Sequence, residues 1–132
     1  MGNFYVNHTI RNATAEAVAK AMTGHPCFIA AEKNDVVVYD AESDTQNPEV
    51  ITALGQKLSR DLNTTVLAVL NHDDDILWFQ LFQNGEVTDQ YDSCPGYFDG
   101  GDTNPAGGNA AKLAEAFNVE DELAIERVLR GE

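Results

Sequence analysis

Basic side chains are scarce in this sequence: 8 Lys and Arg stand against 22 Asp and Glu, for a formal net charge of -14. A field of that sign repels phosphate backbones and anionic lipid headgroups, so neither nucleic acid nor a membrane surface is an expected partner. It would attract a basic protein or divalent cations, and it also favours solubility. Cysteine is nearly absent. Cys27 and Cys94 are too few for a disulfide framework, which makes a reducing cytoplasm the expected compartment. Long apolar runs are missing as well, and none approaches the roughly 20 residues a membrane-spanning helix needs. The opening MGNFYVNHTI lacks a basic segment followed by an apolar one, so no secretory leader is expected. Without one, the Asn-x-Thr triplets at Asn7, Asn12 and Asn63 read as chance.

Signatures of catalysis are lacking too. No Gly-x-Ser-x-Gly, His-Glu-x-x-His or Cys-x-x-Cys occurs. His25-Pro26-Cys27 supplies one His and one Cys without the second pair that zinc requires. Gly100-Gly101 is not followed by the Lys-Ser/Thr of a phosphate loop. The sequence therefore predicts no cofactor and no metal site, and it favours a binding role over an enzymatic one.

What is present is an ordinary globular composition, 43% hydrophobic over 132 residues, which fits a single domain spanning 1–132. Phe4, Val6, His8 and Ile10 alternate with Tyr5, Asn7 and Thr9, the period of a strand. Ala15, Val18, Ala19 and Met22 recur at helical spacing over about 13–23, with Asn12 or Thr14 as cap and Gly24 as stop. Strands are expected at 27–32 and 35–40 around an Asn34-Asp35 turn. Asn47-Pro48 opens a helix whose buried stripe is Ile51, Leu54, Leu58 and Leu62. Residues 65–70, apolar on both faces, read as a central strand. Strands at 76–83 and 86–91 flank Asn84-Gly85, a strong type I′ hairpin signal. A Gly-, Pro- and Asp-rich loop covers 92–108, and helices at about 109–117 and 119–129 close the chain, with Asn118 ending one and capping the other.

The expected fold is α+β: an antiparallel sheet of about six strands, with a ferredoxin-like β-α-β-β-α-β start, a β-hairpin and two C-terminal helices. A secretion-chaperone-like α+β domain is the second architecture. A regular ladder outward from Asn84-Gly85 would pair Phe82 with Val87, Gln80 with Asp89 and Trp78 with Tyr91. Trp78, Gln80, Phe82, Asp89 and Tyr91 would then share one mixed aromatic and polar face, beside Leu67 or Val69. They are the candidate ligand or interface residues, while Leu77, Phe79 and Leu81 would form the core under the two long helices. Three coverings are open for the mixed face: the C-terminal helices, a second copy of the chain, or a small ligand.

Other clusters carry less. Asn71-His72-Asp73-Asp74-Asp75 reads as a solvated turn, and the four carboxylates between Asp89 and Asp102 lack EF-hand spacing. Cys94 would be a nucleophile only with a base such as His72 beside it. Tyr97 and Phe98 are expected to tuck back onto the domain. The leading expectation is a non-enzymatic binding or protein-interaction module that associates with itself. An acidic chaperone or immunity-type inhibitor of a basic protein stands second, and a small carboxylate-based hydrolase or cation-dependent enzyme third.

Overall fold

The structure is a computed structural model describing residues 2–131. It is mixed α+β, with four α-helices and one open antiparallel sheet of seven strands. β1 (Phe4–Ile10), α1 (Ala15–Ala21), β2 (Cys27–Glu32) and β3 (Asp35–Asp40) are followed by a 3-10 turn at Ser43–Thr45 and by α2 (Pro48–Asp61). β4 (Val66–His72), β5 (Ile76–Gln83) and β6 (Glu86–Asp92) form a meander. β7 (Ala106–Gly107), α3 (Ala110–Phe117) and α4 (Glu122–Leu129) complete the chain. The strands lie in the order β2-β3-β1-β4-β5-β6-β7. The seventh strand is the end of the expected 92–108 loop, where Gly107 pairs with Tyr91.

Local chemistry sets the boundaries. Thr14 Oγ1 accepts from Ala17 N–H and caps α1; Asn47 Oδ1 accepts from Glu49 N–H and caps α2, with Pro48 in the first turn. Asn84 and Gly85 both have positive φ, 54° and 82°, as a type I′ turn requires. The β2–β3 turn falls one residue earlier than expected, at Lys33-Asn34. Glu32 pairs with Asp35, whose carboxylate is fixed by Arg11 at 2.8 Å. Asn118 ends α3 in a left-handed conformation but does not cap α4; Asp121 does, through Ala124 N–H.

The sheet has two unlike faces. On the first, Val6, Ile10, Val36, Val38, Val66, Ala68, Leu70 and Phe82 pack against Val18 and Met22 of the α1 segment and Ile51, Leu54 and Leu58 of α2. On the second, Phe79 and Tyr91, with Leu67 and Val69, pack against Ala110 and Leu113 of α3 and Ile125 and Leu129 of α4. The core under the two longer-expected helices is thus built on Phe82, and Phe79 lies on the opposite side. The C-terminal helices cover the face opposite to Trp78.

The β4–β5 register sets the side of Phe82, which is level with Val66, while Phe79 is level with Val69; a β-bulge in β6 then carries Asp89 and Tyr91 to the side opposite Trp78. Gln83 pairs with Glu86 and Phe82 with Val87, but the register then shifts, so Leu81 faces Asp89, Gln80 faces Gln90, Phe79 faces Tyr91 and Trp78 faces Asp92. Thr88 is the extra residue, and its hydroxyl donates to Leu81 O. One inserted residue turns every later side chain to the other face. Tyr91 gains by the shift. Its ring stacks on Phe79 with centroids 5.1 Å apart, and its hydroxyl donates to Leu129 O at 2.8 Å.

Candidate functional site

The five candidate residues are divided between the faces. Phe82 is fully buried against α2, and Gln80 accepts a hydrogen bond from the Thr52 hydroxyl at 2.7 Å. Asp89 and Tyr91 lie on the second face, where Asp89 Oδ2 accepts from Asn109 N–H at the start of α3. Trp78 alone of the five borders both open space and the first-face core. The structure therefore does not gather them into one patch.

Two other features take their place. The first is an uncovered half of the second face. The apolar contacts of α3 and α4 are with β4, β5 and β6. Beyond them, Phe28 of β2 pairs with Tyr39 of β3, and Tyr5 of β1 pairs with Asn71 of β4. Their exposures are 68%, 41% and 42%, high values for aromatic side chains on a sheet face. The Phe28 and Tyr39 rings touch, with centroids 6.4 Å apart. Val37 and Ala30 pair beside them and are half-buried.

The second feature is a cavity of about 370 Å³ at the end of the first face, between the start of α2, the β4–β5 end and the Cys94–Phe98 segment. Trp78, Leu70 and Ile76 form its sheet side, and Pro48 and Phe98 wall it. The following segment is held by backbone and side-chain bonds: Ser93 exchanges hydrogen bonds with Leu77, and Cys94 N–H donates to Asp92 Oδ1. Gly96 N–H donates to Asp102 O, and a side chain at Gly96 would strike the Gly101 backbone, so glycine is required there. Tyr97 and Phe98 do fold back, onto His72, whose ring they meet edge-on at 5.8 and 5.0 Å between centroids.

His72 is oriented from α2's approach. Gln46 Nε2 donates to Asn71 O, which turns Gln46 Oε1 toward His72 Nδ1 at 2.9 Å. That pattern makes Nδ1 the donor. Cys94 and His72, which sequence alone could not place together, line the same cavity.

The remaining titratable groups have structural settings. His8 is fully buried and its Nε2 bonds to Ile51 O at 3.1 Å; burial pushes its pKa down, against the opposing pull of that bond and of Asp40. Cys27 pairs with Asp40 across β2 and β3, and burial, with Asp40 adding, pushes its thiol pKa up, away from nucleophilic use. Asp74 is drawn down chiefly by the Asn71 amide. Among the described residues no three His, Cys, Asp or Glu side chains meet in a group that could hold a metal ion. Among them, too, no helix is long and apolar enough to cross a membrane.

Phe28, Tyr39 and Phe98 were not among the sequence candidates. For Phe28 and Tyr39 the signal was the two-sided apolar character of strands 27–32 and 35–40, which needs the strand order to be read as exposure. No family model, curated protein or solved structure matches the chain.

Proposed function

We propose that this protein is a non-enzymatic interaction module that associates with a second copy of itself through the uncovered half of its second sheet face. The observation that carries this reading is the exposed aromatic group Phe28, Tyr39 and Tyr5 on strands that α3 and α4 leave bare. Large apolar groups kept together in water favour burial against another surface. The first six elements support a ferredoxin-like unit, since β4-β1-β3-β2 is the order that β-α-β-β-α-β pattern takes, with β5, β6 and β7 extending it. Two free cysteines fit a reducing cytoplasm.

Charge gives the association a distinctive salt dependence. Two chains of -14 repel, and added salt screens that repulsion while leaving apolar burial intact. Light scattering on eluting protein should therefore show a dimer whose population rises with salt, and F28S with Y39S should return the monomer. A wild-type monomer at every salt concentration would end this reading. The same charge favours a second reading, capture of a basic protein, with the opposite sign: that complex weakens as salt rises.

A further inference from the structure

We infer that the cavity beside Trp78 is a binding site for a small organic cation, an alkylated ammonium group. The inference concerns the first face and is independent of the self-association proposed for the second.

Three properties of the cavity converge on that ligand class. Its walls are mostly aromatic and apolar, with the indole of Trp78, the Phe98 ring and the His72 ring beside Leu70, Ile76 and Pro48, and a polar side at Thr45 and Gln46. Aromatic faces attract cations that are weakly hydrated, Trp most strongly, and alkylated ammonium groups are such cations. The lining holds one carboxylate, Asp92, and no Lys or Arg among the described residues, so a cation finds a counter-charge and an anion finds none. The volume of about 370 Å³ lies at the small end of ligand cavities, which suits a compact head group.

The surroundings agree in sign. Asp75 accepts a hydrogen bond from the Tyr97 hydroxyl at 3.1 Å, and Tyr97 stacks edge-on against Phe98. That bond chiefly, with desolvation and then the charges of Asp75 and Asp73, raises the Tyr97 pKa, and the two carboxylates place negative charge at this rim. The start of α2 does not reverse it. Asn47 already accepts from Glu49 N–H, and the Glu49 side chain adds a negative charge in the first turn. His72 is turned by its Nδ1 bond to Gln46 Oε1, so that its ring is held at this wall.

Trp78 is the chain's single tryptophan, so its fluorescence reports this cavity directly. Choline and tetramethylammonium should change that emission saturably in the millimolar range, with sodium chloride at equal ionic strength as the baseline. The neutral isostere 3,3-dimethylbutanol should bind at least tenfold more weakly. D92N should weaken choline at least fivefold. F98A, at a residue 76% exposed and therefore safe for folding, should weaken it by a similar factor. Equal binding of the neutral isostere would reduce the site to an apolar hole and overturn the inference. So would an emission that follows ionic strength alone, or choline binding indifferent to both substitutions. Because the readout is a single side chain on the first face, these results hold whether or not the chain dimerises.

Discussion

Arg11, the residue after β1, donates its Nε–H to the main-chain oxygen of Ala116 at 3.0 Å, 105 positions further along the chain. The same guanidinium binds both oxygens of Asp35 and lies over the Phe117 ring, 5.0 Å from its centroid. One side chain thus joins the end of β1, the β2–β3 hairpin and the last turn of α3.

That geometry needs a planar fork, which an ammonium cannot supply. R11K keeps the charge and loses either the carbonyl or the stacking. With the two side chains only 14% and 22% exposed, the loss should be about 1–2 kcal/mol, larger than for an open surface pair. Urea unfolding of wild type and variant measures it.

Gly55 lies in α2, where alanine would ordinarily gain about 1 kcal/mol of helix propensity. Here a methyl would overlap the ring of Phe82, which is fully buried and has no room to withdraw. Overpacking of that kind costs about 1–3 kcal/mol, so G55A should destabilise despite the propensity gain. Adding F82L should recover part of the loss in a double-mutant cycle.

Tyr91 is the hinge between the bulged strand and α4. Y91F keeps the ring stack on Phe79 but deprives the buried Leu129 carbonyl of its donor. The cost should be about 1 kcal/mol. It should appear first as faster amide exchange in α4, with β1 and β4 amides unchanged, because the lost bond anchors only the C-terminal layer.

The order of elements was legible because periodicity and caps are local: Asn47-Pro48 and Asn84-Gly85 announce α2 and the β5–β6 turn without help from the rest of the chain. The bulge was not. Val87, Asp89 and Tyr91 alternate as a regular ladder would, and the contacts that favour the shifted register, Tyr91 with Phe79 and with Leu129, come from a neighbouring strand and from a helix 38 residues away. The open half-face was hidden for a related reason. Phe28 and Tyr39 sit in apolar strands that look equally suited to burial, and only the strand order puts them beyond the reach of α3 and α4.

His8 makes stability depend on pH. Burial lowers its folded pKa below the ordinary 6.5, so the unfolded chain binds the proton more readily. The stabilisation from the neutral ring is complete above about 6.5 and is lost as pH falls from there toward the folded value, at up to about 1.4 kcal/mol per pH unit. Acid also relieves the repulsion among the carboxylates, so the comparison should be internal. The stability difference between wild type and H8L should shrink from pH 7.5 to pH 5. A difference that stays constant would mean that folding leaves the proton affinity of the ring unchanged, against the lowered pKa.

The bulge also decides what the sheet shows if its C-terminal layer lifts. Phe28 and Tyr39 are paired, Tyr39 comes level with Asn7, and Asn7, Val69, Phe79 and Tyr91 are successive partners across β1, β4, β5 and β6. With α3 and α4 in place this row is half roofed. With them detached it becomes a single greasy stripe across six strands, broken only by one asparagine. Proteolytic trimming or damage to the last two dozen residues would thus bare that whole stripe to water, an apolar surface of the kind that drives aggregation.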